Sequence, residues 1–414
     1  MTDAAPASSG GLGRQATFLA GSTALAQILT AVIYLLAARS SGPEAFGHAV
    51  TAVAIASSAV GFIDFGTNSL WLREAARGDL TTEHLTERAF GKLAFAGVVL
   101  LIAGTALLIW SPTALLWTAA PVAMFLLLSQ TAQVPLRAKS KMLTVALSLI
   151  LDRVVGLTVL TLSMLLGVEG AAALWIALVS GSTASTVLLV ARMPDRQAIR
   201  RTRRISRAPW RGSGFYGLSS VAVTSQALDV AIMSAVAGPA AAGVYGAVNR
   251  WTQPMSLAVS AFAASAVPVV ARARSWRNAW PVVRKALWLP IAAMGACLLV
   301  IVAAPFFVNL LVGEAFAESA SVLRVLALGT LLAIANQPLA IFQQSLGHDK
   351  PVSFVTTSAV LLQLVLVAVF AGAAGPVGAA WAFVCAQAVI CVLLVIVMVR
   401  SRNTGPAGNR PEKA

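Results

Sequence analysis

Six charged side chains stand inside otherwise apolar stretches of this 414-residue chain: Asp64, Asp152, Arg153, Asp229, Arg250 and Arg324. Amides accompany them, among them Gln27, Asn249, Gln253, Asn336, Gln337, Gln343 and Gln344. A charge on a hydrocarbon-buried helix costs about 2.5–3.5 kcal/mol on insertion scales, so each should face a cavity or meet a partner. Such groups can recognise a polar cargo or handle protons and ions. Metal and cofactor chemistry is not expected. His48, His84 and His348 lack ligand spacing, and Cys297, Cys385 and Cys391 show no CxxC or Cys/His pattern.

Arg153 falls near the middle of its apolar stretch, beside Asp152. Adjacent helical residues point about 100° apart, so the two are not expected to pair face to face. A central guanidinium would suit a diphosphate group, which it grips through several charge-assisted bonds. The competing reading is a helix that starts later, leaving Arg153 as an inner-face anchor. Asp229 and Arg250 lie at similar depths, about 12 Å and 10 Å below the outer face by helical rise. Ser225–Asp229 and Asn249–Gln253–Ser256–Ser260 follow helical spacing and put polar atoms on one face. A structural ion pair, substrate or proton handling, and Arg250 snorkelling to the surface all stay open. Arg324, about six residues below the outer face, is equally ambiguous. Asp64, with Asn68 one turn on, could neutralise Arg73 or Arg77 or cap a neighbouring helix. Asn336, Gln337, Gln343 and Gln344 could zip a cytoplasmic gate through amide bonds.

The elements that hold these residues follow from composition. Apolar residues make up 58% and charged residues 11%, against about 25% charged in an ordinary globular domain. Such a chain could not cover a soluble core; it belongs in a bilayer. Charge-poor segments recur at 15–38, 46–70, 90–111, 113–135, 142–166, 170–191, 212–237, 244–270, 286–308, 318–344, 351–371 and 377–399. Leu93–Leu136 and Pro351–Val399 carry no formal charge and are too long for one crossing, since about 20 residues span the hydrocarbon. Each therefore reads as two helices. Lys and Arg set the sidedness. With the N-terminus inside, 26 of the 30 basic residues fall in inner segments, Arg73, Arg77, Arg88 and Lys92 among them, and only Arg39 lies outside. That bias places both termini in the cytoplasm.

The expected organisation is a cytoplasmic tail (1–14), a six-helix half (15–191), a basic loop (192–211), a second half (212–399) and a tail (400–414). The basic loop holds eight arginines and should meet anionic lipid, with docking of a cytoplasmic protein as an alternative. The halves repeat. Gly42, Pro43 and Gly47 map onto Gly238, Pro239 and Gly243 at a constant offset of 196 residues. Both sets fall at the outer end after an odd-numbered helix, so the repeats are parallel, as in a transporter that rocks one half against the other.

The stretch 26–50 (AQILTAVIYLLAARSSGPEAFGHAV), Gly61-Phe-Ile-Asp-Phe-Gly-Thr-Asn68 and Leu72-Arg-Glu74 resemble polysaccharide biosynthesis proteins. These are Wzx-type lipid-linked oligosaccharide flippases of the multidrug/oligosaccharidyl-lipid/polysaccharide (MOP) exporter superfamily. Leu311-Val-Gly-Glu-Ala-Phe316, Ser321-Val-Leu-Arg-Val-Leu326 and Gln344-Ser-Leu-Gly347 resemble that family's helix 9–11 region. The resemblance implies an all-α integral membrane protein of twelve transmembrane helices in two parallel six-helix lobes, V-shaped and MATE-like. It also implies alternating access, and export of a polyprenyl-linked glycan precursor across a bacterial inner membrane. Asp64, inside the family-like stretch, is then a lobe-stabilising or inner-gate residue. Expected partners are the anionic lipid-linked glycan, anionic membrane lipids and, as a further candidate, glycan-synthesis enzymes at the cytoplasmic face. A monomer suffices.

Other classes find little support. Gly212-Ser-Gly-Phe-Tyr-Gly217 spells a dinucleotide fingerprint, but an arginine-rich loop precedes it rather than a strand. No GxxxxGK[ST] loop is present, so ATP hydrolysis by this chain is not expected, and neither is an enzyme. The formal charge of +15 is explained by the inner leaflet rather than by nucleic acid. The alternatives carried forward are an ion-coupled multidrug-type exporter and a non-transport scaffold for envelope glycan synthesis. The deep arginines favour an anionic cargo over a cationic drug. Cysteines introduced at the Gly42 and Gly238 turns should be labelled from outside, and one at Ile199 only from inside; opposite labelling would overturn the topology.

Overall fold

A computed structural model describes residues 9–193, 195–202, 205–252, 284, 287–345 and 349–403. The helices are α1 (Ser9–Asp64), α2 (Thr67–Arg77), α3 (Thr82–Trp110), α4 (Ala119–Ala138), α5 (Met142–Leu165), α6 (Gly170–Ala191) and the short α7 (Arg196–Arg201). Then follow α8 (Gly214–Ser225), α9 (Leu228–Ala237), α10 (Pro239–Asn249), α11 (Trp288–Leu311), α12 (Ser319–Ser345) and α13 (Asp349–Asn403). Among the described residues, eight helices are long and apolar enough to cross a membrane, nine if α8 and α9, bent by 43°, count as one span. Two of the eight, Gly21–Asp64 and Pro351–Arg400, are 44 and 50 residues long, enough for two crossings each by helical rise. The fold class is thus an all-α membrane protein. The span expected over 244–270 begins in α10 and lies outside the described residues from 253 onward.

The chain forms two compact units, residues 1–250 with 308–319, and residues 251–307 with 320–414. In the first unit, α1 runs through the predicted outer turn at 41–48 with a break at Gly42 alone (φ 75°, ψ 170°), followed by Pro43. Gly238 takes nearly the same conformation (φ 90°, ψ 165°) before Pro239, which opens α10. The two copies of the repeat meet. A Cβ on Gly47 would overlap the Pro239 carbonyl, and one on Gly243 would overlap the Pro43 carbonyl. Only hydrogen side chains let α1 and α10 approach so closely. Phe46 packs edge-on against Phe316, with ring centroids 6.1 Å apart, and Ser319 Oγ donates to the Val244 carbonyl at 2.7 Å.

Small residues also set the packing of the first six spans. Ala52, Ala56, Ala96, Ala119 and Ala123 are buried where α1, α3 and α4 converge. On α5 and α6, Gly156 faces the Ala177 carbonyl and Gly181 faces Asp152. Without a hydrophobic driving force between helices in lipid, such close backbone approach supplies much of the attraction.

The helix break at Phe65 (φ 42°) and Gly66 (φ 70°) separates α1 from α2. Beside it, Asp64, Thr67 and Asn68, at i, i+3 and i+4, surround Lys92 of α3. Lys92 Nζ donates to Asp64 Oδ1 at 2.8 Å, Thr67 Oγ1 at 3.1 Å and Asn68 Oδ1 at 2.8 Å. It lies 4.5 Å from the centroid of the Trp71 ring. This corrects the sequence reading, which put Lys92 in an inner loop: its side chain is 0% exposed. The charge partner of Asp64 is Lys92 rather than Arg73 or Arg77, whereas the expected helix cap is present: Asp64 Oδ1 accepts from the Asn68 backbone amide at the start of α2 at 3.3 Å. Arg73 instead donates to the Tyr216 hydroxyl at 2.6 Å.

The second unit holds most of α11, α12 and α13. Cys297 packs with Ala293 and Ile334, and Gly329 accommodates the Phe383 ring. The charge-free stretch 351–399 is broken at Ala374 and Gly375, before Pro376. That matches the position expected for a hairpin turn.

Two stability outcomes follow. Gly47→Ala should lower the melting temperature of the purified protein, since overpacking against backbone costs about 1–3 kcal/mol. Gly97→Ala, where nothing lies within 4 Å of a new Cβ, should be neutral or gain up to about 1 kcal/mol. Lys92→Met should lose about 3–5 kcal/mol by stranding Asp64, whereas Lys92→Met with Asp64→Asn should recover most of it. Equal losses for the single and paired variants would show that the ion pair does not hold the break.

Candidate functional site

The apolar faces of α2, α4 and α5 leave a polar pocket within the first unit. It is a cavity of about 360 Å³ lined by Asn68, Ser69, Ser129, Gln130, Gln133, Arg137, Asp152 and Arg153, with Leu72, Leu126, Val134 and Leu149 as its apolar wall. Three of these, Gln130, Gln133 and Arg137, lie at i, i+3 and i+7 on α4 and so share one face. Arg137 Nη2 donates to Gln133 Oε1 at 2.7 Å. Ser129 Oγ lies 3.3 Å from Ser185 Oγ, tying α4 to α6.

Arg153, in the middle of α5, lines this cavity and is 23% exposed. Its Nη1 reaches to 3.8 Å from Asp152 Oδ1, which corrects the expectation that neighbours 100° apart would not pair. The side chain is long enough to fold back, but 3.8 Å is beyond hydrogen-bond range for this pair. Most of the guanidinium's five N–H donors are therefore uncommitted to Asp152. Asp152 itself is buried and accepts from Ser182 Oγ at 3.5 Å. Two guanidinium groups against one carboxylate leave the cavity with a net positive lining.

The other predicted residues are distributed elsewhere. Asp229 is buried on α9, where its Oδ2 accepts from the Tyr245 hydroxyl at 2.9 Å and from Asn249 Nδ2 at 3.5 Å. The Val230 amide donates to Oδ1 at 2.6 Å. Arg250 does not form an ion pair with it; its guanidinium carbon stacks 4.0 Å from the Tyr34 ring centroid. α10 ends at Asn249, and Arg250 opens a short 3-10 segment, Arg250–Thr252, from which it reaches Tyr34 of α1 while its charge still acts on Asp229. Arg324 Nε donates to the Ile301 carbonyl at 3.3 Å in the second unit. Asn336 Nδ2 donates to the Gln387 carbonyl at 2.9 Å and to its Oε1 at 3.1 Å, and Gln343 Nε2 donates to the Leu394 carbonyl at 2.6 Å. These amides join α12 to α13 within one unit. Gln337 is exposed, and Gln253 and the Gln344 side chain lie outside the described residues.

Sequence reasoning therefore named Arg153 and Asp152 but missed Arg137, Gln130, Gln133, Ser129 and the cavity role of Asn68. The signal on α4 is present in the sequence, as Gln130 and Gln133 at helical spacing in the charge-free run with Arg137 just beyond its end; the sidedness argument counts Arg137 only among the inner basic residues.

The sequence profile described as MatE matches residues 218–369. No curated protein matches the chain by sequence. Among solved structures, an inward-facing multidrug resistance MATE family transporter of the MOP superfamily superposes with a TM-score of 0.70 at 14% identity, covering 92% of this chain and 96% of that one. The lipid II flippase MurJ in an inward closed conformation gives a TM-score of 0.69 at 12% identity, covering 92% and 87%. A MATE protein in the straight conformation gives 0.57 at 16% identity, covering 93% and 94%. At these identities the structures establish a shared fold. The profile of the family described as polysaccharide biosynthesis protein matches residues 12–274, which is more than half of the chain, and the chain belongs to that family.

Proposed function

We propose that this protein is an alternating-access flippase that moves a polyprenyl-linked oligosaccharide or related envelope precursor from the inner to the outer leaflet. The observation that carries this reading is the positively lined cavity holding Arg137 and Arg153 within a charge-poor helical unit. A lipid-linked glycan presents its charge as phosphate beside a neutral sugar. Guanidinium groups bind phosphate through directed, charge-assisted bonds, while the serines and amides around them suit hydroxyl groups. The polyprenyl tail would stay in the bilayer, so no cavity need enclose it. The cation-exporting alternative is favoured only by the shared MATE fold and the matched profile. A cationic drug would meet two guanidinium groups in this cavity and be repelled.

Transport on this reading is electrochemical. An elementary charge crossing 100 mV gains about 2.3 kcal/mol, enough to bias a two-state motion. The repeated halves 15–191 and 212–399 are the elements we assign to that motion, with both termini in the cytoplasm of a bacterial inner membrane. Anionic inner-leaflet lipid would anchor the basic loop 192–211.

The test is vesicle flipping of a lipid-diphosphate oligosaccharide under an imposed potential. Arg153→Ala should slow flipping roughly 10–100-fold, the equivalent of one or two charged hydrogen bonds. Arg153→Lys, which keeps the charge and loses the planar fork, should fall between it and the parent. Flipping by Arg153→Ala at the parent rate would remove Arg153 from the site. A parent protein that moves organic cations and not the glycan lipid would overturn the function.

A further inference from the structure

Asn68 stands between two environments. It lines the cavity opposite Arg137 and Arg153, and its carboxamide oxygen accepts from Lys92 Nζ at 2.8 Å. An ammonium group only donates, so the amide end turned toward Lys92 must be Oδ1. Nδ2, at the other end of the amide, has no partner among the described residues, and the residue lines the cavity.

The remaining donors of Lys92 are taken. Two go to Asp64 Oδ1 and Thr67 Oγ1, and the Thr67 hydroxyl in turn donates to Asp64 Oδ1 at 2.9 Å. Fully buried, with its charge balanced by Asp64, Lys92 cannot itself touch a molecule in the cavity. What it contributes there is direction. An asparagine without this contact could turn its amide over at little cost and present a carbonyl oxygen, which repels phosphate oxygens.

We infer that Lys92 is a positioning residue for the cavity, holding the Asn68 amide so that its two N–H donors face an anionic group gripped by Arg137 and Arg153. The inference rests on the reading of this cavity as a lipid-diphosphate site. It makes Asn68 specificity-determining. A phosphate oxygen only accepts and matches a donor-only wall, whereas a sugar hydroxyl would be served equally by either end of the amide.

The experiment measures binding of farnesyl diphosphate to the purified full-length protein in detergent, with melting temperatures recorded for every variant. Asn68→Ala should weaken binding about tenfold, as expected for a lost hydrogen bond to a charged group. Lys92→Met with Asp64→Asn, which keeps the cluster neutral, should weaken it by a similar factor. Adding Asn68→Ala to that pair should cause no further loss, because both changes remove one interaction. Asn68→Asp keeps an acceptor for Lys92 but turns a carboxylate oxygen to the anion, so it should bind more weakly than Asn68→Ala. A purely structural role predicts losses that track melting temperature and add in the triple variant. Additive losses, or Asn68→Asp binding as well as the parent, would overturn the positioning role. Should the paired variant not fold, the order of the two Asn68 variants decides alone. If the parent binds farnesyl diphosphate and Arg153→Ala abolishes binding while the Asn68 series fails, only the positioning role falls. If the parent does not bind it, the cavity reading fails and the inference falls with it.

Discussion

An ammonium group sealed inside a helix bundle has to be given three acceptors and a counter-charge, and Lys92 imposes that demand on everything around it. Breaking such a pair leaves a charge in a medium that solvates it poorly. Asp64, Thr67 and Asn68 stand at i, i+3 and i+4, a spacing that shares one helical face, and all three reach the Nζ atom beside the break at Phe65 and Gly66. The break in turn frees backbone groups that lipid could not satisfy. The Ile63 carbonyl is taken by the Trp210 indole N–H at 2.7 Å, and the Trp210 ring packs edge-on against Phe95 of α3 at 4.9 Å. Inter-half loop, helix break and buried lysine form one connected construction within the first unit.

A second constraint is steric. Gly42–Pro43 and Gly238–Pro239 place equivalent breaks in α1 and before α10, and the glycines five residues on, Gly47 and Gly243, sit against each other's neighbouring prolines. Each proline is tolerated because the preceding glycine has already left the helical conformation. The reciprocity of the contact is what a duplicated element packed about a two-fold axis produces. It explains why the same residue types recur at the same spacing. Any side chain at either glycine would separate the two backbones.

Much of this was legible in the residues. Long charge-free runs read out the membrane-spanning helices, because the bilayer penalises charge so heavily that position follows composition. The Gly-Pro repeat was visible for the same reason that it matters, as few residues can take a positive φ. Lys92 was misread by the very rule that served elsewhere. It stands at the end of an apolar run, where a positive-inside anchor would be expected, and its partner is 28 residues away in sequence. Arg153 with Asp152 failed differently, because an argument from helical directions ignores the reach of a four-bond side chain. Arg250 could not be placed by depth alone. Its guanidinium stacks on the Tyr34 ring of α1, a contact that tertiary packing supplies, while its charge still acts on Asp229.

The distribution of buried charge says which half of the proposed cycle each residue can serve. Asp229 accepts from Tyr245 and Asn249 of α10 and from the Val230 amide of its own helix, so its oxygens are held by three donors. A carboxylate so committed is suited to fixing α9 against α10, and a coupling ion would have to displace protein donors to reach it. Arg153 is in the opposite condition. Its one acidic neighbour in the cavity lining is 3.8 Å away, and the rest of that lining adds Arg137, amides and hydroxyls to an apolar wall. A group that must release its cargo on the far side gains from this arrangement. The intramolecular pair is too long to compete with an incoming phosphate, yet close enough to receive the guanidinium again once the phosphate departs. Binding and release then differ by the exchange of one loose carboxylate contact for a directed one, a step small enough to be reversed by the motion of the lobe.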